Sequence, residues 1–300
     1  MFELAVLDSA LRMATPLILT ALGGMFSERS GVVNIALEGI MLTGAFASVV
    51  ATHFTGDPWA GVMAGILAGM LVSLIHAVAS IVFRADQIVS GVAINLLALG
   101  LTQFLMWIIW GSSANSPPVS GMAHWTLPES WGAFARGFNS VVGHYPPLVY
   151  VALGAVAVSH VVLWRTPFGL RLRATGEHPE AVDTLGVNVR AMRFAGVLLS
   201  GALAGLGGAF LALNTHQFVK NMSAGRGFIA LAAMIFGKWN PVGVLGACLL
   251  FGYAEAVQMG LQGNAIPTQF VQMIPYVLTM VALVGVIGRA RPPAASGKPY

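Results

Sequence analysis

Charged residues are scarce in this chain. Of its 300 residues, 15 are Lys or Arg and 11 are Asp or Glu, which makes 9% charged. Soluble globular domains carry about 25% charged residues. The sequence is also 57% hydrophobic, and its mean hydropathy is +0.79. These values exclude a soluble domain and predict a polytopic integral membrane protein in contact with a lipid bilayer.

Groups that carry chemistry in soluble enzymes are missing as well. A single cysteine, Cys248, excludes an internal disulfide. The sequence has no phosphate-binding loop of the G-x-x-x-x-G-K-[ST] type, because Gly237 and Lys238 are followed by Trp239. No pair of histidines has metal-ligand spacing within the apolar runs. We therefore expect no catalytic residue, no metal and no cofactor, and we expect any ATP hydrolysis on a separate chain.

Long apolar runs dominate what is present. A helix needs about 20 apolar residues to cross a bilayer, and this rule gives nine candidate spans in an all-α chain. The seventh is too short for a regular straight crossing, so it is predicted to be partly re-entrant or part of a broken helix. The spans are roughly 10–26, 33–53, 58–82, 87–110, 147–164, 193–213, 225–237, 241–262 and 269–288.

The basic residues set the predicted orientation, because they collect on the cytoplasmic side of membrane proteins. Residues 165–193 hold eight of the 26 formal charges, and we place them inside. The N-terminus is then outside and the C-terminus is cytoplasmic. Orientation accounts for the net charge of +4, and nucleic acid is not an expected partner. Eleven basic residues fall inside, namely Arg29, Arg84, Arg165, Arg171, Arg173, Arg190, Arg193, Lys238, Arg289, Arg291 and Lys298.

The charged segment 165–193 also contains a short helix signal. Pro179 is favoured at the first position of a helix, acidic residues follow it, and Gly186 is suited to the helix end. The pattern predicts a helix over 178–185. Positive-inside placement explains the arginines of this segment but does not explain a capped helix, which indicates a surface for another protein.

Three sequence blocks recur in the same order in the two halves of the chain. Because the second and seventh spans are an odd number of spans apart, the predicted duplication is inverted, an arrangement typical of transporter cores. We divide the single domain, 1–300, into repeat one at about 14–110, a linking span and loop at 147–193, and repeat two at about 196–288. The matched blocks are LGGMF 22–26 with LGGAF 206–210, GVVNIAL 31–37 with GRGFIAL 225–231, and Pro58, Ala64, Leu67 and Gly69 with Pro241, Ala247, Leu250 and Gly252.

Polar residues inside apolar spans are costly and usually face a cavity or the interior of a bundle. Asn34 and Glu38 are four residues apart, which places them on one face of a helix, and Asn95 and Gln103 lie in the fourth span. Phe228 matches Asn34 in the repeat and would offer an aromatic face to a ring-bearing solute. These five residues form a predicted solute pathway. Interhelical hydrogen bonds that only fix packing are the alternative for the polar residues, as is a packing contact for Phe228.

Two motifs resemble those of a known family. Residues 28–41, ERSGVVNIALEGIM, resemble the E-R-x-G-x-x-N-[IL]-[AG]-x-E-G-[MI]-M signature of permease subunits in bacterial ABC importers for nucleosides and simple sugars. Residues 174–188, ATGEHPEAVDTLGVN, resemble the coupling segment G-x-[NH]-P-x-A-A-x-x-x-G-[IV]-[NS] of that family, with Val182 at a position where Ala is common. The similarity runs from about 14 to 288 and is strongest to the shorter permease of nucleoside importers.

This resemblance implies a fold like that of the cobalamin importer, in the bacterial cytoplasmic (inner) membrane. The implied partners are a second permease subunit or a second copy, two cytosolic ABC ATPase domains and an extracytoplasmic solute-binding protein. The implied function is ATP-driven import of nucleosides, or of related simple sugars, by alternating access. The implied ATPase-coupling residues are Gly176, His178, Pro179, Glu180, Ala181, Asp183, Leu185 and Gly186.

A secondary transporter is the alternative function. In that case Glu38 or Glu255 would carry a coupling proton, because a membrane acid can serve as a proton relay. Uptake would then follow a proton gradient rather than ATP.

Overall fold

Helices make up nearly all of the structure that the computed structural model describes, which covers residues 2–124, 126, 129–131, 139, 143–261, 273 and 290–300. Within these ranges the only strand-like pairing is an isolated bridge between Asn115 and Val219. The helices are α1 Phe2–Arg29, α2 Leu37–Thr55, α3 Pro58–Ala77 with a π-helical turn at Val78–Val82, α4 Gln87–Trp110, α5 Pro147–Arg165, α6 Pro167–Glu177, α7 Pro179–Thr184, α8 Val189–Asn214, α9 Arg226–Phe236 and α10 Pro241–Leu261.

Seven of the described helices are long and apolar enough to cross a membrane. They are α1 to α5, α8 and α10, and each corresponds to a predicted span. The predicted seventh span is α9, which has only 11 residues and follows a non-helical segment, 215–225. The predicted ninth span, 269–288, lies outside the described residues except for Met273.

Two local predictions needed correction. The second span was predicted to begin at residue 33, but residues 30–36 are not helical and α2 begins at Leu37. Asn34 therefore precedes α2 and does not share a helical face with Glu38. In the charged segment the predicted helix 178–185 is present as α7, but α6 before it was missed, although Thr166 and Pro167 give it a standard start.

Short polar residues start several of these helices. Asp57 accepts a hydrogen bond from the Trp59 amide at 2.9 Å, and Asp86 accepts from the amides of Ile88 and Val89. Each cap supplies an acceptor to amides that have no partner in the first helical turn.

The helices α1, α2 and α8 form the centre of the bundle. Of the residues in their apolar stretches, 67%, 67% and 72% are buried, against 22% in α4. Exposed apolar side chains on α3 and α4, such as Leu67 and Leu96, lie on the periphery. These outer faces fit contact with lipid or with another membrane subunit.

Glycines bring the central helices into close contact. A Cβ atom on Gly44 in α2 would lie 2.6 Å from the backbone of Gly205 in α8. Gly23 in α1 lies against Ser200 of α8, whereas Gly207 further along α8 lies against Thr20, so α1 and α8 are antiparallel. Small residues permit this approach of two backbones, which is how helices pack tightly in lipid.

Substitution of Gly205 tests this packing. A Cβ at Gly205 would collide with the carbonyl oxygen of Gly65, a backbone atom that cannot move aside. Overpacking of this kind costs about 1–3 kcal/mol, so Gly205→Ala should lower the thermal midpoint of the purified protein by roughly 3–10 °C. Gly154 of α5 is the matched control, because nothing lies within 4 Å of its added Cβ. Equal midpoints for Gly205→Ala and Gly154→Ala would contradict the close crossing.

Candidate functional site

The connection between α1 and α2, residues 30–36, is a buried non-helical segment. Its exposed fractions are 0% at Val32, Asn34 and Ala36. Backbone groups away from water need partners, and here side chains supply them. The Val33 amide donates to Gln87 Oε1 at 2.7 Å.

His76 of α3 also forms a hydrogen bond with the 30–36 connection. Its Nε2 lies 2.9 Å from the carbonyl oxygen of Val33, and its Nδ1 lies 3.0 Å from Ser90 Oγ. A carbonyl oxygen can only accept, so Nε2 carries a proton and donates to Val33, and Nδ1 shares a hydrogen bond with the Ser90 hydroxyl. His76 thus links the 30–36 connection to α4.

Two asparagines complete the set of partners. Asn95 accepts a hydrogen bond from the Gly39 amide at 2.8 Å and donates to the Ile35 carbonyl at 3.0 Å. Asn34 accepts from the Ala36 amide at 3.1 Å and donates to Ser200 Oγ of α8 at 3.0 Å. The asparagines therefore tie the beginning of α2 to α4 and α8.

Glu38 lies where the N-termini of α2 and α9 meet. Its two carboxylate oxygens accept from the amides of Gly225 at 2.8 Å and Gly227 at 2.7 Å. A carboxylate at this position satisfies unpaired amides and complements the positive end of the α9 dipole. Gly227 permits the contact, because the Cβ atom of any other residue at this position would lie 2.5 Å from the Glu38 Cα atom.

The structure brings three of the five predicted pathway residues together around the start of α2, namely Asn34, Glu38 and Asn95. Their side chains make the interhelical and capping bonds that were the alternative interpretation, and contact of any of the five with a solute stays a prediction. Gln103 is half-buried two turns further along α4, and Phe228 is 48% exposed on α9.

Several residues of this polar site were not predicted. His76, Gln87 and Ser200 are single polar residues in or beside apolar runs, and no local spacing marks them as partners of residues 30–36. Glu255, which the sequence placed on the eighth span, pairs with Arg226 at 3.2 Å on α9. One indication of this ion pair was present in the sequence, namely that Arg226 is a charged residue at the start of the short seventh span.

A small cavity lies at the end of the bundle opposite to Arg29. It measures about 40 Å³ and is lined in part by His124, Phe210, Asn214 and His216. A single water needs roughly 10–15 Å³, so this cavity has room for a few waters only. It is too small for a nucleoside or a sugar.

Six of the eight predicted coupling residues form an exposed surface at the Arg29 end of the bundle, and the other two, Gly176 and Pro179, are buried. Pro179 and Val182 of α7 face the protein, and Gly176 is buried against the carbonyl oxygen of Arg29. Leu185 is 81% exposed although it is apolar. The unusual Val182 thus lies on the inner side, away from this surface. The exposed members are His178, Glu180, Ala181, Asp183, Leu185 and Gly186.

A bundle of apolar helices with a polar core and a short exposed helix at one end defines a polytopic membrane permease. The chain belongs to the family described as branched-chain amino acid transport system / permease component, which matches residues 6–283. The members of this family are subunits of ABC transporters, and the family includes nucleoside and sugar permeases.

Full-length relatives support this assignment. The chain is 46% identical to a guanosine ABC transporter permease protein of Bacillus subtilis, over 98% of this chain and 96% of that protein. It is 42% identical to a nucleoside ABC transporter permease protein of Lactococcus lactis, over 96% and 93%. A Haloferax volcanii protein assigned as a glucose ABC transporter permease is 37% identical over 87% and 79%.

A solved structure shares the fold at low sequence identity. It is an inward-facing conformation of an ABC transporter assigned to the metal-chelate type. It matches with a TM-score of 0.50 and 17% identity, and the match covers 93% of this chain and 85% of that chain. The all-helical ABC permease fold expected from the sequence is thereby confirmed.

Proposed function

We propose that this chain is a permease subunit of an ATP-driven importer that moves nucleosides across the bacterial cytoplasmic membrane. The observation that carries the proposal is the full-length similarity to two permeases named for guanosine and for nucleosides. The sugar permease among the relatives is less similar, at 37% identity. Related simple sugars are therefore the second candidate class of solute.

The exposed surface of α7 supports docking of a separate ATPase. Leu185 projects from a polar end of the protein, where an uncovered apolar side chain has no partner within the described residues. Buried Pro179 and Val182 hold the helix against the bundle, so that it can move with its partner as a rigid element. Two cytosolic ABC ATPase domains would then contact two permease subunits, and the Arg29 end would face the cytoplasm. The N-terminus would lie outside, next to an extracytoplasmic solute-binding protein.

Backbone geometry supports the proposed inverted repeat. Gly31 and its match Gly225 both have left-handed backbones, with φ values of +95° and +86°. Gly56 and Trp239, which lie two residues before the matched Pro58 and Pro241, are also left-handed, at +75° and +50°. Glycine adopts this conformation readily, but it is uncommon for a residue such as Trp239. Its occurrence next to a matched proline therefore supports a common origin, and the antiparallel α1 and α8 fit an inverted arrangement.

The polar site supports alternating access around α2 and α9. The two helix N-termini meet at Glu38, and the carboxylate hydrogen bonds of Glu38 within the described residues go to the amides of Gly225 and Gly227 at the start of α9. Movement of α9 relative to α2 would change this contact, while Asn34 and Asn95 keep the start of α2 fixed to α8 and α4. Phe228, exposed beside this contact, is our candidate for stacking against a nucleobase.

Proton coupling receives no support from the described contacts. Both oxygens of Glu38 accept backbone hydrogen bonds, and Glu255 is paired with Arg226. Both acids therefore already hold helices together, a role that does not require them to exchange protons. We therefore favour ATP over a proton gradient as the energy source.

Uptake by the reconstituted complex tests the proposal. Liposomes would contain this chain, its partner permease and the ATPase, and the solute-binding protein would be added outside. We expect uptake of tritiated guanosine that requires internal ATP, survives a protonophore and is competed by other nucleosides but not by excess ribose. Competition by ribose alone would assign a sugar substrate, and loss of uptake with the protonophore would contradict ATP-driven import.

A further inference from the structure

Residues 290–300 return to the Arg29 end of the bundle and pack on it. Ala295 is 5% exposed, and its amide donates to the carbonyl oxygen of Gly176 at 2.9 Å. The Ala294 amide donates to the Glu177 carboxylate at 3.2 Å. The chain here is thus bonded to the end of α6, directly before the exposed helix α7.

The same segment is bonded to the α1–α2 connection. The Gly297 amide donates to the carbonyl oxygen of Gly31 at 3.2 Å. Gly297 has a φ of +79°, a left-handed conformation that glycine adopts without strain and that turns the chain toward Gly31. Gly176 also lies against Gly31, so three separate segments meet here.

Arg193, near the start of α8, provides a third attachment. It is 1% exposed, and its Nη1 donates to the Lys298 carbonyl oxygen at 3.0 Å. Its guanidinium lies 5.7 Å from the centre of the Tyr300 ring, within the range of a cation–π contact. A buried arginine needs such partners, and the terminal segment supplies both of them.

Tyr300 extends the attachments to α7 itself. Tyr300 and Asp183 border the same cleft of about 470 Å³ between α7 and the start of α8. Burial and the nearby Asp183 carboxylate raise the pKa of the Tyr300 phenol above its ordinary value. Tyr300 therefore keeps its proton at physiological pH and can donate a hydrogen bond to Asp183.

We propose that residues 293–300 form a strap that transmits displacement of α7 to the α1–α2 connection and to α8. The strap borders Asp183 on α7, and it is hydrogen-bonded to Gly176 and Glu177 before α7 and to Gly31 and Arg193 on the core. The chain from α7 to α8, residues 185–188, is non-helical and mostly exposed, so it is a less rigid route to the core. The strap adds a second route that acts directly on the segment which holds Asn34. This inference rests on the proposed function.

Replacement of each of two neighbouring alanines by phenylalanine tests the strap in the complete reconstituted complex. Ala295→Phe places a large ring at a buried position between Gly31 and Gly176, whereas Ala294→Phe adds the same ring at an exposed neighbour. We expect Ala295→Phe to lower uptake of tritiated guanosine at least tenfold and to weaken stimulation of the ATPase by the loaded solute-binding protein. Copurified ATPase should be unchanged, and Ala294→Phe should behave like wild type.

Tyr300→Phe provides a second test that leaves folding intact, because it removes one hydroxyl at the surface. Loss of the hydroxyl that can donate to Asp183 across the shared cleft should reduce stimulated ATPase activity roughly threefold, without a change in basal ATPase activity. Wild-type stimulation in both Ala295→Phe and Tyr300→Phe would overturn the strap, and so would loss of copurified ATPase, which would indicate a role in assembly. Failure of the wild-type complex to couple uptake to ATP would instead overturn the proposed function.

Discussion

Leu185→Asp is expected to disconnect the permease from its ATPase. Leu185 is 81% exposed at the end of α7, and burial of a leucine side chain in a partner is worth about 1.5–3 kcal/mol. An aspartate at the same contact would lose this contribution and would also bring a charge without a partner. We expect the affinity for the ATPase to fall at least tenfold and ATP-dependent uptake to fall with it. Copurification of the ATPase with the tagged permease measures the first effect.

Leu185→Met is the matched control, because methionine keeps the apolar character and similar volume. It should retain most of the ATPase. The amount of permease in the membrane should be the same for both variants, since Leu185 makes little contact within the protein. If Leu185→Asp retained the ATPase as the wild type does, α7 would not be the docking helix.

Glu38→Ala should have the largest effect on stability. It removes the acceptor for the amides of Gly225 and Gly227, and hydrogen bonds to charged groups are worth about 1.5–3 kcal/mol each. We expect a loss of roughly 3–5 kcal/mol, seen as low yield in the membrane and a lower thermal midpoint. Uptake should fall in proportion to the folded protein that remains.

Glu38→Gln separates this structural role from proton transfer. The glutamine amide oxygen still accepts one of the two hydrogen bonds, so the variant should fold and keep part of its ATP-dependent uptake. A proton-carrying acid could not be replaced by glutamine with any activity left. Complete loss of uptake in a stable Glu38→Gln protein would therefore revive the secondary-transporter hypothesis.

Seven of the nine spans could be predicted, because long apolar runs depend on composition alone. Charge density and Pro179 likewise predicted the exposed helix, since helix starts are local features. The non-helical connection at 30–36 could not be predicted in this way. Its partners Gln87 and Asn95 are 54 and 60 residues away from Val33 and Ile35, and no local pattern encodes such contacts.

The polar candidates show the same limit. Asn34 and Glu38 are polar residues within an apolar run, but their spacing suggested a shared helical face that does not exist. The helical face on which a residue lies can be predicted only when the start of the helix is known. The start of α2 depends on hydrogen bonds from side chains of α3 and α4. The Arg226–Glu255 pair likewise joins two helices whose proximity only the fold reveals.

The glycine crossings of α1, α2 and α8 restrict how this protein can change shape. Backbones that touch at Gly44 and Gly205 have no layer of side chains between them that could deform or slide. Any opening must therefore carry these three helices together as one block. The hinges then belong to the segments without such crossings, above all the non-helical stretch 215–225 before the short helix α9.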